Sequence, residues 1–264
     1  MCDFADAEVY QQEFDPRAYL EMFYNFGATD LLEDILRFPL THLMKAFSSG
    51  GVKGDTFLDI GSGPCIHQLL SACDSFQELI ASDCVDSNLR EIERWLKKDP
   101  GAYDWRPAVK LICELEGDRE TCAEKEEKLR GKLKQLLKCD VTKRNPLEPQ
   151  VLPPVDCALA SFCLQVACKD QAAYISALKN INTLLKPGGH LLVVETLGES
   201  TYTVGQKVFF VLNLNEGFLR KAVREAGFAL ENLERLQRAD NSLQSSTDYE
   251  TIVVIVARKV NEVS

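Results

Sequence analysis

Thr56-Phe-Leu-Asp-Ile-Gly-Ser-Gly-Pro-Cys65 is the stretch whose reading decides the fold. Residues 56–60 suit a buried strand that carries one acid, Asp59. Gly61 and Gly63 follow, separated by Ser62 and backed by Pro64. Glycines placed directly after a parallel strand permit a tight turn and the close approach of a ligand to bare backbone. Two isolated glycines suit a plain strand-to-helix turn equally well, so the decision rests on what surrounds them.

Outward from this loop, between residues 55 and 195, strand-like and helix-like patterns alternate. Residues 66–73 read as a helix, 78–81 as a second strand ending in Ser82-Asp83, and 88–96 as a helix with Leu89, Ile92 and Leu96 at helical spacing. The charged stretch 116–138 carries Leu129, Leu133, Leu136 and Leu137 along one side, which predicts a solvent-facing amphipathic helix. Cys139-Asp140-Val141 reads as the end of a short third strand, and the apolar run 155–162 as a central parallel strand. A helix over 172–185 stops at Lys186-Pro-Gly-Gly189 and leads into a strand at 190–195. Residues 217–226 and 251–256 predict a last helix and a last strand. This alternation implies an α/β fold with a doubly wound parallel sheet and a ligand site at the carboxyl ends of its strands. The first fifty residues stand apart, with two helix-like stretches, aromatic Tyr19, Phe23 and Tyr24 in the first, and a hinge-like Ser48-Ser-Gly-Gly51 after the second.

Composition narrows the function. An apolar fraction of 45% supports a sizeable core, and a formal net charge of −10 without a basic patch argues against nucleic acid and anionic membranes. The start, Met-Cys-Asp-Phe-Ala-Asp, has neither the basic nor the apolar segment of a signal peptide, and the longest apolar run, 252–257, is far too short to span a bilayer. A cytoplasmic protein with reduced thiols is therefore expected from its 10 cysteines. None of them forms a C-x-x-C pair and the three histidines are far apart, so no metal site is expected. Cys157, Cys163 and Cys168 read as core packing.

Three acids give the glycine loop its meaning. Asp59 precedes it, Asp83 ends the second strand and Asp140 ends the third. An acid after the second strand is where a nucleoside ribose offers two hydroxyls. Asp140 could accept from an adenine amino group while the Val141 amide donates to a ring nitrogen. A nicotinamide dinucleotide would want G-x-G-x-x-G and a helix N-terminus aimed at its pyrophosphate, but the sixth position here is Ile66. An acid just before the loop suits a cation. S-adenosyl-L-methionine, an adenosine carrying a sulfonium and no phosphate, fits better.

The same loop, with Gln68-Leu-Leu-Ser-Ala-Cys73, Glu93-Arg-Trp-Leu-Lys-Lys98 and Leu184-Leu-Lys-Pro-Gly-Gly189, resembles the small-molecule amine N-methyltransferases that act on nicotinamide, phenylethanolamine and indolethylamine. The resemblance runs from about Phe14 to Lys259. It implies a class I methyltransferase, a Rossmann-like, mostly parallel seven-stranded sheet in one domain of residues 1–264, with a helical lid at 1–50 and a core at 51–264. It places the cofactor contacts on Tyr19, Tyr24, Gly61, Ser62, Gly63, Asp83, Asn88, Asp140, Val141 and Ser161. His67, where the family commonly has tyrosine, is a further cofactor candidate. On the substrate side the nicotinamide branch uses an aspartate and a serine where this chain has Glu195 and Val211. The phenylethanolamine branch surrounds its amine with two carboxylates, and Glu199 and Asp248 match both; a third acid of that branch is Gln165 here. Tyr202 and Phe162 complete the substrate candidates.

These correspondences imply transfer of a methyl group to a small arylalkylamine by a monomer, with Glu199 as proton acceptor, Asp248 as anchor of the ammonium and Tyr19 beside the reacting atoms. An alkylamine of pKa about 10 arrives protonated and must lose that proton before attack. Two other readings stay open: methylation of nicotinamide or another pyridine, and a nucleoside-binding protein without catalysis.

Overall fold

The computed structural model describes residues 3–26, 32–117, 119–238 and 246–260. The chain begins with α1 (Ala7–Glu13), α2 (Pro16–Phe23), a π-helical turn (Glu33–Arg37) and α3 (Phe38–Ser48). The alternating part follows as β1 (Gly54–Ile60), α4 (His67–Ala72), β2 (Phe76–Asp83), α5 (Asp86–Leu96), α6 (Arg106–Leu115), α7 (Cys122–Lys132), β3 (Leu133–Lys138) and β4 (Val155–Ser161). It closes with α8 (Leu164–Ala167), α9 (Gln171–Leu184), β5 (Leu185–Leu197), a hairpin of β6 (Thr201–Val204) and β7 (Lys207–Phe210), α10 (Glu216–Glu225), β8 (Phe228–Gln237) and β9 (Thr251–Lys259).

Seven strands form one sheet in the order β3-β2-β1-β4-β5-β9-β8. The pairings from β3 to β5 are parallel, and β9 is antiparallel to both β5 and β8. The order reverses between β1 and β4, which opens a crevice beyond their carboxyl ends, and the glycine loop lies there. Buried side chains alternate between the two faces: Phe57, Cys157 and Leu159 join a cluster with α3, α4 and α6, while Leu58, Ala158 and Ala160 join one with α9 and α10. With both faces covered, the strands read as continuous apolar runs. Cys157 and Cys168 are fully buried in these clusters.

The expected helix over 116–138 is corrected. Leu133, Leu136 and Leu137 have helical spacing, but the helix begins later, at the Thr121/Glu124 capping box, and ends at Lys132. Residues 133–138 instead pair in parallel with β2, from Leu79↔Leu133 to Asp83↔Lys138. The open edge of β2 offers backbone partners that a helix could not use, and those outweigh the local pattern. The expected lid also divides. Phe47 of α3 packs against Phe57 and Phe76 on the sheet, whereas α1 and α2 lie over the crevice. Among the described residues no helix is long and apolar enough to cross a membrane.

Candidate active site

The loop after β1 is built by its two glycines in different ways. Gly61 has φ +65°, and a Cβ there would run into the Cys163 side chain, so this glycine serves packing against the β4–α8 connection. Gly63 has φ +59°, with open space where a Cβ would point. Its amide donates to Asp83 Oδ2 at 2.8 Å, which ties the loop to the end of β2. The other oxygen of Asp83 accepts from the Val85 amide at 2.8 Å and from Asn88 Nδ2 at 3.0 Å. Burial raises the Asp83 pKa, and these donors counter it. Asp59 is buried completely beneath the loop and accepts from Gln68 Nε2 at 2.8 Å; burial pushes its pKa up to about 7.

A cavity of about 370 Å³ opens above this loop. Every residue expected to hold the cofactor lines it: Tyr19, Tyr24, Gly61, Ser62, Gly63, His67, Asp83, Asn88, Asp140, Val141 and Ser161. The N-terminal segment covers it through Phe4 to Glu8, Tyr10 and Phe14. His67, the first residue of α4, packs between Tyr24 and Trp105, with ring centroids 4.9 and 5.6 Å away. Burial lowers its pKa to about 3, so the imidazole is neutral, and its Nδ1 has no partner among the described residues. Asp140 is half-buried and accepts through Oδ1 from the Thr142 amide and hydroxyl.

A second, smaller cavity of about 70 Å³ adjoins the first, and Tyr19, Tyr24, Phe162, Val166 and Tyr202 line both. Phe162 carries a positive φ of 51°, a strained conformation for a side chain of its size, held by its amide bond to the Val194 carbonyl at 2.8 Å. Tyr202 shares a hydrogen bond of 2.9 Å with Tyr10, which ties α1 to β6. Glu199 sits in the wall of the second cavity, 5% exposed. Its Oε1 accepts from the Thr247 hydroxyl, and its Oε2 from the Thr196 hydroxyl and from Gln165 Nε2 at 3.1 Å. Burial pushes its pKa up to about 7 against the pull of the two hydroxyls.

Two expected substrate residues lie elsewhere. Glu195 is fully buried outside both cavities, where it accepts from the Tyr174 hydroxyl at 3.2 Å and faces the Leu164 and Gln165 amides; burial raises its pKa well above the ordinary carboxyl value. Asp248 is exposed and outside both cavities, and its Oδ1 accepts from the Ser200 and Thr201 amides at 2.9 and 3.1 Å. The reason is alternation in extended chain: Thr247 bridges to Tyr202 and points inward, so its neighbour points outward. Residues 243–245 of the same motif lie outside the described residues. Sequence reasoning missed Thr196, Thr247, Tyr249 and Trp105. For Thr247 the strand period next to Asp248 was an available signal; for Trp105, which lines neither cavity but backs His67 and Tyr24 from the start of α6, no signal was.

The 1,6-didemethyltoxoflavin-N1-methyltransferase of Burkholderia thailandensis, solved with S-adenosylhomocysteine, matches with a TM-score of 0.58 at 16% identity, covering 99% of this chain and 93% of that one. An S-adenosylmethionine-dependent methyltransferase of Clostridium acetobutylicum gives 0.58 at 11% identity, covering 92% and 100%. The fold is that of a class I S-adenosylmethionine-dependent methyltransferase. At the level of sequence, the NNMT/PNMT/TEMT family matches residues 2–260. The chain is 49% identical to nicotinamide N-methyltransferase of Sus scrofa, covering 98% of this chain and 97% of that one. It is 45% identical to indolethylamine N-methyltransferase of Oryctolagus cuniculus, covering 97% of each. With phenylethanolamine N-methyltransferase of Macaca mulatta the identity is 38%, over 87% and 82%. The chain belongs to the NNMT/PNMT/TEMT family and is an S-adenosylmethionine-dependent N-methyltransferase.

The residues present fit that cofactor. The larger cavity has acids in its lining and, among the described residues, neither lysine nor arginine, which suits a sulfonium and not a diphosphate. Three buried polar atoms on its wall, His67 Nδ1, Gln68 Oε1 and Asn88 Oδ1, have no protein partner among the described residues. Gly63 leaves open space at the loop.

Proposed function

We propose that this chain methylates the nitrogen of a primary or secondary arylalkylamine bound in the smaller cavity. The observation that carries the reading is Glu199, a buried carboxylate in an aromatic cavity that shares a wall with the larger one. The reactive methyl is the one on the sulfonium of S-adenosylmethionine when that cofactor is bound in the larger cavity. In our reading Tyr19, Tyr24, Gly61, Ser62, Gly63, His67, Asp83, Asn88, Asp140, Val141 and Ser161 hold that cofactor. Glu199 draws the protonated amine inward and accepts its proton, which frees the nitrogen lone pair. Tyr202 and Phe162 flank the amine and fix its line of attack, an approximation effect that supplies much of the acceleration. Burial raises the pKa of the acid and disfavours the charged amine, so the proton moves in the useful direction. Tyr19 stays neutral, since burial raises its pKa, and its part is positional. Asp248 and Glu195 support the turn and the core behind Glu199 and do not touch the amine.

A second reading, methylation of nicotinamide, is favoured by the 49% identity to nicotinamide N-methyltransferase. Against it, a neutral pyridine has no proton to give Glu199. Incubation with labelled S-adenosylmethionine and tryptamine, serotonin, phenylethanolamine or nicotinamide, with products identified by mass, separates the two. We expect methylated arylalkylamine; a product from nicotinamide alone would reverse the assignment. Cofactor binding with no product from the whole panel would point to a nucleoside-binding protein. Glu199→Gln should lower kcat/KM for the preferred amine by about 100-fold or more while leaving cofactor affinity nearly unchanged.

A further inference from the structure

Among the described residues lining the smaller cavity, Glu199 is the one carboxylate, and its three hydrogen bonds all come from neutral side chains. The orientation of one donor is fixed. Gln165 Oε1 accepts from the Thr196 amide at 2.8 Å, so its Nε2 must face Glu199, and an amide N–H can only donate. Thr247 is fixed as well, because the bridge between Tyr202 and Thr247 and the bond from the Thr203 amide to the Ser246 carbonyl at 2.7 Å hold its segment against β6. Three donors aimed at two carboxylate oxygens favour the anion, and burial opposes them. An anion held without a paired cation is itself a receptor for one.

We propose that Gln165, Thr196 and Thr247 form a clamp of neutral donors that favours the Glu199 anion against burial, so that the cavity selects a positively charged substrate and Thr247 sets the pH at which it is accepted. The inference deepens the amine reading and rests on it. The clamp residues are positioning residues, since they act through Glu199. Other titratable groups near Glu199 are Arg238 and Asp248, the buried Glu195, and the tyrosines Tyr19, Tyr202 and Tyr249. Burial holds those three tyrosines neutral, so none of them changes charge around neutral pH, and it raises the Glu195 pKa well above the ordinary carboxyl value.

The test follows the Glu199 carboxyl directly, by infrared titration of the full-length protein, with Glu199→Gln identifying the band. We expect a midpoint near pH 7 in the parent. In Thr247→Val the midpoint should rise by about one pH unit, the loss of one charge-assisted hydrogen bond, and Thr247→Ser should restore it. The acid limb of kcat/KM for tryptamine should move with the midpoint. Near pH 7 the preference for tryptamine over its uncharged alcohol analogue in binding should fall about fivefold. An unmoved midpoint in a folded Thr247→Val protein overturns the clamp. Should the parent methylate no arylalkylamine, the proposed function fails, yet the midpoint and the binding preference still judge the clamp by themselves.

Discussion

Gly61 and Gly63 look alike in the sequence and do different work. Gly61 permits close packing against Cys163, so Gly61→Ala meets both a positive φ and a clash. We expect it to destabilise the fold by about 2–4 kcal/mol, read as a lower urea midpoint. Gly63→Ala meets only the positive φ, and the added methyl points into open space. Its effect should fall mainly on cofactor affinity, about tenfold or more by calorimetric titration, with about 1–2 kcal/mol of stability lost. Equal losses of stability in the two variants would contradict this division. The glycine pair was legible as a ligand loop because parallel strands place such turns at the sheet's carboxyl edge. Which glycine faces the ligand was not, since that depends on Cys163, a hundred residues along the chain.

At the scale of elements, the junction of α7 and β3 shows where periodicity misleads. The charged face of α7 is not simply hydrated. Lys125 is fully buried, with its Nζ 2.8 Å from Asp74, 2.6 Å from Glu116 and 3.4 Å from Glu120. Lys128 reaches Asp74 and Glu120, both at 2.6 Å. The cluster ties α7 to the end of α4 and the end of α6. Lys125→Met takes the ammonium away from Glu116 and leaves Asp74 and Glu120 sharing Lys128. Because Asp74 is 44% exposed, the loss should sit near the lower end of that for a broken buried pair, about 3 kcal/mol in urea unfolding. A change below half that value would mean the cluster is solvated enough to be dispensable. The hairpin β6–β7 and the edge strand β8 escaped the sequence for a related reason. Edge strands carry charged and half-exposed residues, as β8 does, and the apolar runs that betray central strands are missing from them.

For the whole molecule, the buried acids of the site set the pH dependence of stability. Asp59 and Glu199 have folded pKa values raised to about 7, and that of Asp83 is raised too, by burial in each case. A carboxyl raised in the folded state contributes stability that is present below its unfolded pKa of about 4 and lost as pH rises through the folded value. Asp104 and Asp156, lowered by Arg106 and Lys186, act oppositely, and their contribution is lost as pH falls below about 4. Without ligand, the melting temperature in scanning calorimetry should therefore be higher near pH 5 than near pH 8. S-adenosylmethionine should raise it at both pH values, by mass action on the folded state. A ligand-free protein more stable at pH 8 than at pH 5 would show that these acids are not desolvated as described.

The sequence by itself determined the parallel strands β1, β2, β4 and β5, the glycine loop and the acids that flank it, because apolar runs, turn residues and strand period are local signals. The cofactor candidates came from the resemblance to the amine N-methyltransferases, and in the fold they line one cavity at the crevice. Only the tertiary structure decided that 133–138 pairs with β2, that Glu195 is sealed in the core, and that Thr247 and not Asp248 faces Glu199. Those outcomes depend on partners distant in the chain, and on which side of an extended backbone meets the cavity, which no local pattern encodes.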